Sequence, residues 1–233
     1  WSNAEAGVYN AALKLVFLLL AIDRVLNALL LPAMTRVRET RPDDLARLTG
    51  LSLRMVLSLA ALIIVPGMFI VPALLAVVFG GAYAGAEGAA RILLVYVGLT
   101  LVNSVAVCAL LASGQERIYS RAMVRGSTIL AVAMLVLTPL WGVTGTAVGA
   151  VIGELTTLSF MIHAAAREVR EFTPAVFVRP VIAAACALLT GLALMNLSAP
   201  LAAVAAASAV IMLLVLLRVF PVADILFLKE RFL

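Results

Sequence analysis

An all-α, polytopic membrane bundle of about seven transmembrane helices is the fold class this sequence predicts. Three observations carry that expectation. Apolar residues make up 65% of the 233 and charged residues 12%, about half the charged share of a soluble domain. The mean hydropathy is +1.18. The apolar residues fall into seven runs, at about 8–34, 51–79, 92–112, 122–140, 143–163, 180–198 and 200–219, each near the roughly 20 residues that cross a bilayer. The short segments between them leave little chain for a water-soluble catalytic domain.

The first run is apolar except for a few polar side chains. Asn10, Lys14, Ala21, Arg24 and Ala28 fall within about 80° of one another on a helix of 3.6 residues per turn. Lys14 and Arg24 are then stacked about 15 Å apart along one polar and small face. Ionisable groups at membrane depth are costly and usually face protein or a wet cavity; a lysine nearer the outer end can also snorkel to the headgroups. Asp23 points nearly opposite to Lys14, toward a neighbouring helix or a local cation.

The second run contains Pro66-Gly67 and Pro72, and each proline removes a helical hydrogen bond and kinks the helix. The stretch from Phe79 to Ala86, with Gly80, Gly81 and Tyr83, makes a turn with aromatics at the interface. Asn103 and Ser104 sit near the middle of the third run, suited to hydrogen bonds between helices. Pro139-Leu140-Trp141-Gly142 makes a tight turn between runs four and five. Gly145, Gly149 and Gly153 then recur every four residues, a flat seam that lets another backbone approach. Glu154, at the midpoint of that run, either pairs with Arg24 or Lys14, takes up a proton, or makes a structural hydrogen bond. His163 lies toward the end of the run, at an interface position. Runs six and seven hold Ala and Leu with no buried charge and read as peripheral.

Basic residues divide unequally between the two sides. Arg36, Arg38, Arg41, Arg47, Arg54, Arg117, Arg121, Arg125, Arg167, Arg170, Arg179, Arg218, Lys229 and Arg231 fall on one side, and Arg91 alone on the other. Short basic loops stay in the cytoplasm, so the basic side, the carboxyl terminus included, is expected there. This alternation argues against nucleic acid as the reason for a pI near 9.8. Cys108 and Cys186 both fall inside runs and His163 is the single histidine, so neither a disulfide, a metal site nor a cofactor is expected. No phosphate-binding loop, dinucleotide fingerprint or metalloprotease motif occurs, and no catalytic acid, base and orienter stand together. The expectation is a protein that is not an enzyme.

Several segments taken in order resemble a known family. They are Gly7-Val8-Tyr9-Asn10-Ala11-Ala12-Leu13-Lys14-Leu15, Leu31-Pro32-Ala33, Phe79-Gly80-Gly81-Ala82-Tyr83, Leu110-Leu111-Ala112-Ser113-Gly114-Gln115, and Pro139 to Ala147 with Glu154 beyond. Over about residues 5–170 they resemble the Wzx-type polysaccharide-biosynthesis flippases of the multidrug/oligosaccharidyl-lipid/polysaccharide exporter superfamily. The resemblance implies the carboxyl-terminal half of a two-lobed transporter of 12–14 helices around a partly cationic cavity. Residues 1–170 would form the lobe, and 171–233 two added peripheral helices with a short cytoplasmic tail. The chain, which begins at Trp1, would lack its amino-terminal lobe.

The cargo implied is an undecaprenyl-pyrophosphate-linked oligosaccharide crossing the bacterial inner membrane. Lys14 and Glu154 match the family pattern. Asn10 and Arg24 join Lys14 as candidate substrate-binding residues on physical grounds, because a pyrophosphate in a low-dielectric region needs cations to offset its burial. Asp23 and Glu154 are the candidate coupling or structural ion-pair residues. The same superfamily holds Na⁺- or H⁺-coupled multidrug and small-solute exporters and lipid II flippases; two cations in the first run weigh against a cationic substrate.

Overall fold

A backbone in lipid finds no water, so its polar groups must be satisfied within the segment. The apolar runs accordingly form helices in the computed structural model, which describes residues 3–168, 174–196 and 198–219. The order is α1 (Asn3–Thr40), α2 (Pro42–Phe79), a 3₁₀ turn (Gly81–Ala86), α3 (Glu87–Ala112), α4 (Glu116–Glu168), α5 (Pro174–Leu194) and α6 (Ala199–Leu216). All six α-helices are long and apolar enough to span a bilayer, and no strand occurs among the described residues. The chain is a multi-pass membrane protein. Arg170 and the tail at 229–232 lie outside the described residues.

Local chemistry sets the boundaries. Pro42 opens α2, with Asp43 and Asp44 in its first turn, where a missing N–H costs nothing and negative charge complements the helix dipole. Gly80 closes it at φ 86°, ψ 169°, a conformation that only glycine adopts readily. At the end of α3 the Gln115 N–H donates to the Leu110 carbonyl at 2.9 Å and the Gly114 N–H to the Leu111 carbonyl at 3.0 Å. Gly114 has φ 73°, and the two bonds complete a Schellman cap. Ser198 caps α6 by accepting from the Leu201 N–H.

Runs four and five of the sequence share the 53-residue α4, which folds back on itself. Gly142, at φ 59° and ψ −135°, interrupts its helical geometry. Gly145 lies against the backbone of Leu137, Gly149 against Met134, Gly153 against Leu130 and Gly126 against Thr157. In one straight helix Leu130 and Gly153 would be about 35 Å apart, so α4 is a hairpin of two antiparallel limbs, 116–141 and 143–168. The Thr138 and Thr146 hydroxyls meet across the hairpin near its turn at 2.9 Å. The six helical elements therefore contain the seven expected crossings. The glycine seam is the contact between the limbs: a β-carbon at Gly149 would come within 3.0 Å of the Met134 backbone N.

α3 is the most buried span. It packs against α1, α2 and the α4 hairpin, and Leu93, Val97, Leu101 and Val105 lie fully inside the main core. A separate apolar cluster joins Ala61, Val65 and Phe69 of α2 to Ala183 and Ala187 of α5 and Ala202, Ala206 and Val210 of α6. The last two helices thus attach to the flank of α2. Large apolar side chains such as Val77, Leu135 and Val215 are 72% exposed or more. Such a surface suits lipid and not water.

One cation has an assigned structural role. Pro72 has no N–H to give to the carbonyl four residues earlier, that of Met68. Arg91 of α3 supplies the missing donor, its Nε lying 3.1 Å from the Met68 oxygen. The same guanidinium reaches Glu87 at 3.9 Å.

Candidate polar site at membrane depth

α1 carries two sets of polar groups on different faces. Asn10, Lys14, Ala21, Arg24 and Ala28 are all exposed, and no helix among the described residues covers the face they share. Lys14 lies toward the end of α2, with its Nζ 6.0 Å from the centre of the Phe79 ring. That is a weak cation–π approach at the aromatic turn where Phe79 and Tyr83 meet at a tilt of 50°, 5.7 Å between ring centres. Lys14 is thus the cation nearer the aromatic turn. Arg24 is about 15 Å farther along the helix.

Asp23 turns inward to α3. Its Oδ1 accepts from the Ser104 hydroxyl. Its Oδ2 accepts from Asn27 Nδ2 at 3.2 Å. Asn27 Nδ2 also reaches the Asp23 carbonyl at 2.9 Å and Ser104 Oγ at 3.0 Å. The Cys108 thiol contacts Asn27 Oδ1 at 3.4 Å. Asp23 therefore hydrogen-bonds to the neighbouring helix through Ser104 and within its own helix to Asn27.

Glu154 approaches α3 from the second limb of α4. Asn103 Nδ2 donates to its Oε1 at 3.0 Å, and the Thr100 hydroxyl lies beside it. Among the described residues no hydrogen bond or ion pair joins Glu154 to Lys14 or Arg24. Asp23 and Glu154 thus meet adjacent residues of α3, Ser104 and Asn103. Asn103 is 7% exposed, and its Oδ1 has no hydrogen-bond partner. No group of three or more His, Cys, Asp or Glu suited to a metal occurs among the described residues.

The structure brings together Asn103, Ser104, Asp23 and Glu154, and leaves Asn10, Lys14 and Arg24 on an open face. Asn27 and Thr100 are members that the sequence reading missed. The signal for Asn27 is its position four residues after Asp23 on the same helix face. Thr100 stands three and four residues before Asn103 and Ser104. No family model, curated protein or solved structure matches the chain.

Proposed function

We propose that this chain forms part of the wall of a transport path for an anionic, lipid-linked sugar. The observation that carries the reading is the segregation of charge around α1. The carboxylate of Asp23 is engaged by Ser104 and Asn27, while its neighbour Arg24 shares an open face with Lys14 and Asn10. A helix that spends its acid on an internal contact and leaves two cations uncovered presents net positive charge to whatever passes that face. A diphosphate carries charge that must be offset during passage through a low-dielectric region. Arginine suits phosphate oxygens as a fork, and lysine suits them as a point charge.

The cargo that fits is an undecaprenyl-pyrophosphate-linked oligosaccharide, flipped from the cytoplasmic to the periplasmic leaflet of a bacterial inner membrane for polysaccharide synthesis. The basic loops then face the cytoplasm. A companion lobe of the same protein would close the cavity opposite α1.

A second reading has its own observation. Two carboxylates converge on adjacent residues of α3, beside the orphaned Oδ1 of Asn103. An acceptor-rich cluster of this kind suits a proton or Na⁺, and it would serve cation coupling, whether of the flippase or of a small-solute exporter.

Complementation of a flippase-deficient strain separates these readings, with membrane abundance measured in parallel. Arg24→Glu at normal abundance abolishes complementation if the open face guides an anion, and Arg24→Lys retains part of it. Full complementation by Arg24→Glu at normal abundance rejects the anionic-cargo reading.

A further inference from the structure

The α4 hairpin carries a second basic feature, on a different element from Lys14 and Arg24. At the end opposite its Gly142 turn, the two limbs part around a cavity of about 230 Å³ lined by Ile118, Arg121, Ala122, Arg125, Phe160, His163 and Ala164. Arg121 and Arg125 are one helical turn apart and exposed, so both guanidinium groups can reach one anion. Arg125 lies over the Phe160 ring of the other limb, 5.4 Å from its centre. That contact favours the cation and limits the swing of its planar fork. Among the described residues no carboxylate lines the cavity.

The surface beyond the cavity names the kind of anion. Continuing from the arginines toward the bilayer midplane, Thr128, Val132 and Leu135 keep to the same side of the limb, within about 80° of Arg121 and Arg125 together. All three are exposed, Val132 by 55% and Leu135 by 75%. Arg125 and Leu135 are about 15 Å apart along the helix. The face is basic at the end of the hairpin and apolar below it, which is the polarity of a lipid with its phosphate uppermost. A soluble phosphate would engage only the first half of this face, whereas a lipid engages both.

We propose that the open end of the α4 hairpin seats the phosphate of an anionic membrane lipid, with one acyl chain lying along Val132 and Leu135. Arg121 and Arg125 grip the phosphate oxygens, and Phe160 holds Arg125 in the orientation that does so. The site is independent of the cargo, since it lies on a different element from Lys14 and Arg24.

Native mass spectrometry of the chain in mild detergent tests it, with phosphatidic acid as probe and phosphatidylcholine as the zwitterionic comparison. Wild type retains phosphatidic acid in preference to phosphatidylcholine. Arg121→Gln with Arg125→Gln weakens that retention by at least ~10-fold, equivalent to about 1.4 kcal/mol. Arg36→Gln with Arg38→Gln, an equal loss of charge from the same basic end, leaves it unchanged. Arg125→Lys, which keeps the charge and gives up the fork, falls between wild type and the double variant. The proposal is overturned if the two double variants lose lipid equally, if neither loses any, or if millimolar inorganic phosphate displaces the lipid from wild type. The last result would make the occupant a soluble ion.

Discussion

Arg91 donates to the carbonyl of Met68 across 3.1 Å, the carbonyl that Pro72 leaves without its helical donor. The proline-interrupted stretch of α2 is therefore tied to α3 by a cation from the first turns of α3. Arg91→Ala removes a charged donor from a backbone acceptor, a change on the order of 1–3 kcal/mol, at the low end because the Arg91 side chain is 42% exposed. Thermal unfolding in detergent should show a lower midpoint for Arg91→Ala than for Arg36→Ala. Equal midpoints would mean that water satisfies Met68 just as well.

The glycine seam makes a sharper forecast. A side chain at Gly149 meets the Met134 backbone, whereas one at Gly88 meets nothing within 4 Å. Gly149→Leu should force the limbs of α4 apart and cut the folded yield. Gly88→Ala should leave the yield intact, and alanine gains about 1 kcal/mol of helix preference over glycine. A normal yield of Gly149→Leu, read by fluorescence-detected size exclusion, would contradict the hairpin contact.

The Asn103–Glu154 bond separates shape from charge. Glu154→Gln keeps an acceptor for Asn103 Nδ2 and should fold at normal abundance. Glu154→Leu leaves both polar atoms of a buried amide unpaired, since Oδ1 already lacks a partner, and should cost about 1–3 kcal/mol of stability. The comparison is a melting curve in detergent, and a leucine variant as stable as the glutamine variant would show that the bond is dispensable.

How much of this was legible in the sequence depended on the kind of force involved. The helices and their order follow from run length and hydropathy, because lipid leaves the backbone no alternative to the helix. Gly145, Gly149 and Gly153 announced a close approach by their spacing alone, although not that the partner was the other limb of the same hairpin. Asn103 and Ser104 were readable as interhelical donors, since polar groups at that depth seek partners. Which carboxylate each would meet was not readable, because that depends on the rotation of α1 and α4 about their axes, set by packing against α3. The role of Arg91 was hidden for the same reason. Proline marks the orphaned carbonyl, but only the fold brings a donor from 23 residues away in sequence. In the charge count Arg91 is only the lone cation of its side.

Sidedness is open to direct labelling. In a background with Cys186→Ser, a cysteine at Gly85, in the exposed turn after α2, should react with a membrane-impermeant reagent from outside the cell. A cysteine at Asp43, exposed at the start of α2, should react only after the membrane is opened. The opposite pattern would invert the orientation expected from the basic loops.

The central claim is that the face of α1 bearing Lys14 and Arg24 is wet and meets an anion. A thiol reacts as its thiolate, which needs water, so position 24 is its own probe. In membranes carrying the Cys186→Ser protein, Arg24→Cys should be modified by a water-soluble thiosulfonate, and an added lipid-linked diphosphate sugar should protect it. Leu29→Cys, about 140° around the same helix, should resist modification throughout. Modification at 29 but not at 24, or no protection at 24 by the lipid diphosphate, would contradict the account.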